Sequence, residues 1–312
     1  MLEKIMAKFV KHQFEKGMEY QSIVEGIRGN YNLPYIEDGN PYHLLDVYYP
    51  ESTGRKYPLI VYVHGGAWVA NTKEHNRSYA EYLASFGYCV VNLSYRLLPD
   101  TDVRGQIQDV AAAIQYCMED LDIEEADTSN VIWMGDSAGA HLISTIYCLM
   151  QEESLRKKFC ISLKAISVRV LVLQNMVSDL SVFRKSDKWY LKVMCRLLYG
   201  GYGKAGFDQY EASFLELVKD TTGHVPMILV GSAHDPLYMQ SVKMAEYLKN
   251  HHWSYRTIFW GSEERKELGH VFQVTHPEWE ESRVTHECVF QYIEEVLAHG
   301  DSSEFEWNME EE

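Results

Sequence analysis

No cluster of lysine and arginine occurs anywhere in the 312 residues: 45 Asp and Glu outnumber 29 Lys and Arg, for a formal charge of −16. Nucleic-acid binding draws its affinity from grouped cations that neutralise phosphates, so no nucleic-acid partner is expected. No apolar run approaches the ~18 residues needed to cross a bilayer, and no membrane span is expected either. The first twenty residues, MLEKIMAKFVKHQFEKGMEY, alternate charged with apolar side chains and lack the continuous apolar stretch of a secretory signal, which makes the cytoplasm the expected location. The six cysteines, Cys89, Cys117, Cys148, Cys160, Cys195 and Cys288, include no C-x-x-C pair and no metal-ligand spacing, and they read as reduced core residues. Internal repeats and low-complexity linkers are lacking as well.

What is present is a chain with 46% hydrophobic residues, long enough to bury a large core. Short β-rich runs recur at 44–49, 59–63, 89–93, 131–134, 168–173, 227–230 and 255–259, and helical periodicity fits 74–86, 103–120, 138–151, 236–250 and 280–299. Such alternation implies an α/β fold with a mainly parallel sheet flanked by helices. Two segments fall outside it. About fifty residues separate the fifth and sixth of these runs, where a dozen or so suffice for a parallel crossover, and the excess carries the aromatic-rich SDKWYLKVMCRLLYGGYG. The first forty or so residues read as a further amphipathic helical segment before any strand. The expected organisation is one domain, 1–312, with helical cap elements at about 1–40 and 176–222 and an acidic tail at 301–312.

Chemistry concentrates at VIWMGDSAGAHLIS. Gly135-Asp136-Ser137-Ala138-Gly139 fits G-x-S-x-G, in which flanking glycines permit a sharp strand-to-helix turn that lifts the serine out of the sheet. Upstream, IVYVHGGAW ends another strand in a glycine pair, whose backbone N–H groups, with that of Ala138, form a candidate oxyanion hole from Gly65, Gly66 and Ala138. His64 precedes the nucleophile and is assigned to shaping that loop. In this order of elements an acid and then a base follow the serine. Asp235, immediately past the 227–230 run, is the preferred acid and Asp179 the alternative. His270, after Gly269 in ELGHVF, is the preferred base, with the glycine expected to supply the bend, and His276 is the alternative. Trp68, Trp189 and Tyr190 are candidates for lining the substrate pocket, which Tyr199 and Tyr202 would help to narrow. Asp109 and His141 read as structural.

Together, HGGAW, YRLLP, QIQDV, GDSAG, DPL and GHVF occur in the order and spacing of the α/β-hydrolase esterases, and the sequence resembles their hormone-sensitive-lipase-like and acetyl-esterase branch from about Val47 to Phe272. The resemblance implies an α/β-hydrolase fold with a helical cap and hydrolysis of a small-molecule ester without metal or cofactor. It assigns Ser137, Asp235 and His270 as the catalytic group. Ala67, where one subgroup has a third glycine, is similar instead to the HGGxW pattern of feruloyl-esterase-like and formamidase-like relatives. The function read from the sequence is therefore a serine carboxylesterase for acetyl to butyryl or aryl esters. A formamidase or amidase is the alternative, with a non-catalytic ligand receptor behind it. No oligomeric state is assigned.

Overall fold

A computed structural model describes residues 24–51, 54–185, 189–198 and 212–299, with the side chains of residues 184, 185, 189–191, 193 and 194 outside that description. The expected amino-terminal helix up to residue 23 and the acidic tail at 301–312 lie outside the described residues.

The sheet has eight strands: β1 Ile27–Pro34, β2 Leu44–Pro50, β3 Tyr57–Val63, β4 Cys89–Leu93, β5 Ala126–Asp136, β6 Val168–Gln174, β7 Met227–Ser232 and β8 Tyr255–Trp260. Their spatial order is β1-β2-β4-β3-β5-β6-β7-β8. The β1–β2 and β2–β4 pairs are antiparallel and every other pair is parallel. Burial on both faces explains why the central strands read as apolar runs without alternation. On β3, Leu59, Val61 and Val63 face one core while Ile60 and Tyr62 face the other. The first face is covered by α2 (Val103–Glu119), α3 (Ala138–Gln151) and α8 (Tyr238–Asn250), through residues such as Ile107, Ile114, Leu142, Ile146 and Met244. The second is covered by α1 (Arg77–Ser85) and α10 (Glu280–His299), through Leu83, Phe290 and Ile293. α3 is buried on all sides, which fits a helix whose sequence, AGAHLISTIYCLMQ, has no charged residue.

Between these lie α4 (Glu153–Phe159) and, in the long β6–β7 connection, α5 (Ser181–Lys185), α6 (Trp189–Leu198) and α7 (Phe214–Leu217); α9 (Phe272–Thr275) follows β8. All seven expected strands are present. β1 is a correction: residues 27–34 form an edge strand where a helical segment was expected. IRGNYNLP conceals it because the strand is polar and interrupted by a bulge between Asn30 and Leu33, with Asn32 at φ 57°. A buried lysine holds that bulge. Lys73, 2% exposed, places Nζ 2.7 Å from Asn32 Oδ1, 2.9 Å from Asp46 Oδ1 and 2.7 Å from Glu74 Oε1. The cysteine reading also needs correcting. Cys89, Cys117 and Cys148 are buried and Cys195 and Cys288 half-buried, but Cys160 is exposed, at the left-handed residue that ends α4.

Candidate active site

β5 ends at Asp136 and α3 begins at Ala138, which leaves Ser137 alone at the crest of the turn. Its φ of 49° is one that a non-glycine residue keeps only where the surroundings enforce it. The Ser137 N–H donates to the Gln174 carbonyl at the end of β6, 2.8 Å away. Glycine is required on both sides. A Cβ at Gly135 would lie 2.7 Å from the Gly139 carbonyl carbon, and one at Gly139 would collide with the carbonyl oxygens of Val63 and His64. The helix can therefore start hard against the end of β3.

The structure brings together three of the expected residues. His270 Nε2 lies 2.8 Å from Ser137 Oγ, and its Nδ1 lies 3.0 Å from Asp235 Oδ2. A carboxylate accepts only, so Nδ1 carries the proton and Nε2 is left to accept from the hydroxyl. Asp235 sits just beyond β7 with its side chain fully buried. Its Oδ1 accepts from the Leu237 N–H at 2.8 Å, and its Oδ2 also accepts from Asn175 Nδ2 at 2.7 Å. His270 is the more open member, with a side chain 26% exposed. The bend that brings it back over the sheet is not at Gly269, as expected, but at Val271, whose φ of 53° opens α9.

The alternatives lie elsewhere. Asp179 accepts from the backbone N–H and hydroxyl of Ser181 at 2.8 and 2.9 Å, as a cap on α5. His276 stacks on Trp279 with ring centroids 4.0 Å apart, and its Nδ1 is 3.3 Å from Glu278. His234 points to the Glu264 carbonyl. Asp109 is held by Arg96, and His141, buried, donates to the Ala212 carbonyl at 2.7 Å.

The oxyanion loop differs from expectation at one donor. The Gly65 N–H is engaged by Asp136 Oδ1 at 2.9 Å, so it cannot serve a substrate oxygen without releasing that carboxylate. Among the described residues, the N–H groups of Gly66, Ala67 and Ala138 have no hydrogen-bond acceptor. Two consecutive left-handed residues, Ala67 at φ 51° and Trp68 at φ 61°, follow Gly66 at φ 122°, where a Cβ would meet the Ala70 carbonyl. His64 shapes the loop, as expected. It is stacked on Tyr95 at 4.4 Å, its carbonyl accepts from the Tyr95 hydroxyl, and burial pushes its imidazole down to about 4. Trp68 is also a correction: it is 2% exposed and enclosed edge-on by His141 and Phe183, so it supports the loop and offers no surface to a substrate. Trp189 and Tyr190 fall on α6 with side chains outside the described ones, and Tyr199 and Tyr202 lie outside the described residues.

Sequence reasoning missed the polar groups behind the three. Asp136, whose carboxyl burial raises above its ordinary range, accepts from the Tyr62 hydroxyl as well as from Gly65. Gln174 ends β6 with Asn175 immediately past it, and Gln273 follows His270 by less than one helical turn. The only available signal was their place at strand carboxyl ends, where open α/β sheets bind ligands. Among the described residues, no group of three or more His, Cys, Asp or Glu is arranged to hold a metal ion, and no helix is long and apolar enough to cross a membrane.

Comparison with known proteins agrees with this architecture. Esterase B from Lactobacillus rhamnosis superposes with a TM-score of 0.86 at 29% identity, covering 96% of this chain and 97% of that one. A Pyrobaculum calidifontis esterase at 20% identity shares the fold, with a TM-score of 0.67 over 95% of this chain and 98% of that one. Curated relatives include an isoprenylcysteine alpha-carbonyl methylesterase of Arabidopsis thaliana, 27% identical over 117 residues (38% of this chain), and a kynurenine formamidase of Salmo salar, 31% identical over 115 residues (37% of this chain). The matches span 27% and 37% of the lengths of those two relatives. The BD-FAE family model matches residues 45–248, a span that runs from β2 into α8 and contains Ser137, the glycine loop and Asp235, and the chain therefore belongs to the BD-FAE family of α/β-hydrolase esterases.

Proposed function

We propose that the protein is a serine carboxylesterase that hydrolyses small esters through an acyl-enzyme. The observation that carries this reading is the unbroken line of hydrogen bonds from Ser137 through His270 to Asp235. Serine is a weak nucleophile until a base takes its proton. His270 Nε2 accepts that proton as Oγ attacks the ester carbonyl, and the Asp235 carboxylate stabilises the resulting imidazolium and holds the ring in the required tautomer. The N–H groups of Gly66, Ala67 and Ala138 receive the oxyanion, Gly65 being engaged by Asp136. His270 then protonates the departing alcohol, and water activated by the same imidazole releases the acid. Helix α5, whose Phe183 packs edge-on against Trp68, and helix α6 of the β6–β7 insertion serve as a cap over this strand end and favour acetyl to butyryl over long acyl chains. Support for the short-acyl reading comes from esterase B, which was crystallised inhibited by a C4-C4 tributyrin phosphonate.

A second reading, hydrolysis of a formamide, is favoured by the kynurenine formamidase match. The same three residues serve it, since an amide carbonyl passes through the same tetrahedral stage. One experiment separates the readings. Fluorophosphonate labelling should modify Ser137, and kcat/KM should then be compared over aryl acetate, butyrate and dodecanoate esters and an aryl formamide. Faster turnover of acetate and butyrate than of the formamide and the long ester supports the proposal. A formamide preference installs the second reading, and labelling elsewhere removes both.

A further inference from the structure

Behind Asp235 a chain of buried side chains runs from the end of β6 through Gln273 on α9 and Tyr79 on α1 into α10. Asn175 Nδ2 lies 2.7 Å from Asp235 Oδ2, and Gln273 Nε2 lies 2.9 Å from Asn175 Oδ1 and 3.0 Å from Gln174 Oε1. Gln174 Nε2 lies 3.0 Å from the Tyr79 hydroxyl, which is 2.9 Å from His286 Nε2, and His286 Nδ1 lies 2.6 Å from the Ser282 carbonyl. Asn175, Gln174, Gln273 and His286 are each no more than 2% exposed.

The direction of every bond follows from the two ends. A peptide carbonyl and a carboxylate can only accept. His286 must therefore carry its proton on Nδ1 and accept on Nε2, which agrees with a neutral ring, burial having pushed its pKa down to about 4. The Tyr79 proton then goes to His286 at 2.9 Å in preference to Gln174 Oε1 at 3.2 Å, Gln174 Nε2 donates to Tyr79, and the Gln174 carbonyl accepts. At the other end, Asn175 must donate to Asp235, so its carbonyl must accept as well. Gln273 is the one member that satisfies both halves, because its single –NH2 group donates in both directions while its Oε1 has no partner among the described residues. The arrangement leaves one permitted orientation for the Asn175 amide, with its donor facing the acid. The Asn175 backbone is itself held at φ 47°, with its N–H on the Val230 carbonyl at 2.8 Å.

We infer that Asn175 is a positioning residue for Asp235 and that Gln273 sets its orientation, an inference that rests on the serine-hydrolase reading above. Asn175 donates to the same oxygen that accepts from His270. It fixes the plane of the carboxylate and shares the charge that would otherwise be directed at the imidazole alone. Without this donor the carboxylate can turn, and its undivided charge holds a proton on His270 to higher pH, so the acid limb of the kcat/KM profile moves upward. Gln273 lies three residues after His270 and fastens the start of α9, and with it the histidine loop, to the end of β6. One side chain thus registers the base against the partner of its acid.

The test uses the full chain with an aryl acetate, after fluorophosphonate labelling of the wild type. Failure of the wild type to label overturns the serine-hydrolase reading and this inference with it. With labelling established, Asn175→Ala should lower kcat by about 10- to 100-fold, the usual scale for losing a hydrogen bond to a charged group, with KM changed by less than about twofold and the acid limb moved to higher pH. Asn175→Asp should move the limb further in the same direction, since like charge beside Asp235 favours the imidazolium. Gln273→Leu should lower kcat by about threefold to tenfold with the same sign of shift. The double variant should be slower than Asn175→Ala by clearly less than the factor that Gln273→Leu costs alone, because the two side chains share one bond. An Asn175→Ala enzyme with kcat within about twofold of wild type and an unmoved limb overturns the inference, as do single effects that multiply in the double variant. If Asn175→Ala does not fold by near-ultraviolet circular dichroism, Gln273→Leu decides, and an unmoved limb there overturns it.

Discussion

Gly65 and Tyr62, three residues apart on β3 and the loop that follows it, meet on one oxygen of Asp136. Oδ1 accepts from the Gly65 N–H at 2.9 Å and from the Tyr62 hydroxyl at 2.5 Å. The residue beside the nucleophile therefore ties the glycine loop to the elbow, and the close approach forbids a side chain at Gly65, where a Cβ would collide with the same carboxylate. Asp136→Ala should strand two buried donors at a cost of about 1–3 kcal/mol each and lower kcat by loosening the oxyanion loop. Thermal unfolding and kcat on an aryl acetate measure the two effects. A variant that loses stability but keeps full turnover would show that the loop does not depend on this tie.

Ser137→Ala should leave a folded protein whose turnover has fallen by roughly four to six powers of ten, the range seen when serine hydrolases lose their nucleophile. Mass spectrometry of the phosphonate-treated wild type should place the adduct on the peptide containing Ser137.

The two histidines of the carboxyl-terminal loops should behave oppositely. His270→Ala removes the base and should cost turnover on a scale close to that of Ser137→Ala, while His276→Ala only unstacks an exposed ring from Trp279 and should change kcat/KM by less than about twofold. In the same assay Asp235→Asn should cost about four powers of ten through the wrong imidazole tautomer. Asp179→Asn should leave turnover near wild type and change stability little, because the amide oxygen still accepts the Ser181 N–H at the start of α5.

Acid should destabilise the fold through its buried histidines. Burial pushes His64, His141 and His286 down to about 4, whereas an unfolded histidine titrates near ~6.5. As pH falls, the unfolded chain takes up these protons first, so the stability they contribute is full above about 6.5 and is lost between there and about 4, on the order of 3 kcal/mol for each ring. Asp136 has the opposite sign. Its carboxyl is raised by burial, so the folded state protonates earlier and offsets part of the loss. The melting temperature measured by circular dichroism should fall steadily between pH 6.5 and 4, and a flat profile would contradict the neutral assignment of the three rings.

Gly139→Ala adds one methyl group and should be among the most damaging small changes, because the new carbon would overlap the Val63 and His64 carbonyls. Backbone cannot yield as a side-chain tip can, so a loss of about 1–3 kcal/mol or more is expected in denaturant unfolding. Gly269→Ala, whose Cβ would have only the Glu267 carbonyl within 4 Å, at 3.8 Å, should cost much less.

Much of this site is legible in the sequence because its parts are local signals. G-x-S-x-G, the glycine pair after β3, and an Asp and a His beyond two late strands each advertise a turn chemistry that few other structures need. Gly65 was misread because sequence shows where an N–H is available but not that Asp136, 71 residues away, engages it. Gly269 was misread for a similar reason: glycine permits a left-handed bend, and the chain places it at Val271 instead. β1 escaped notice because an edge strand packed on one side needs no apolar run. The amide chain from Asn175 to His286 joins residues distant in sequence through Gln273, and no short-range pattern encodes it.

The buried ammonium of Lys73, joined to Asn32 on β1 and to Asp46 on β2, bears on how the sheet comes apart. An outermost strand ordinarily frays by itself, with opening free energies near zero. Here the first strand cannot peel away without leaving a charge in the protein interior with one donor bond unmet. The outermost strand should therefore open only with the cooperative unit that contains β2. In native-state hydrogen exchange, the β1 amides paired to β2 should show opening energies close to those of the central strands, and Lys73→Met should return them to the rapid exchange of a free margin.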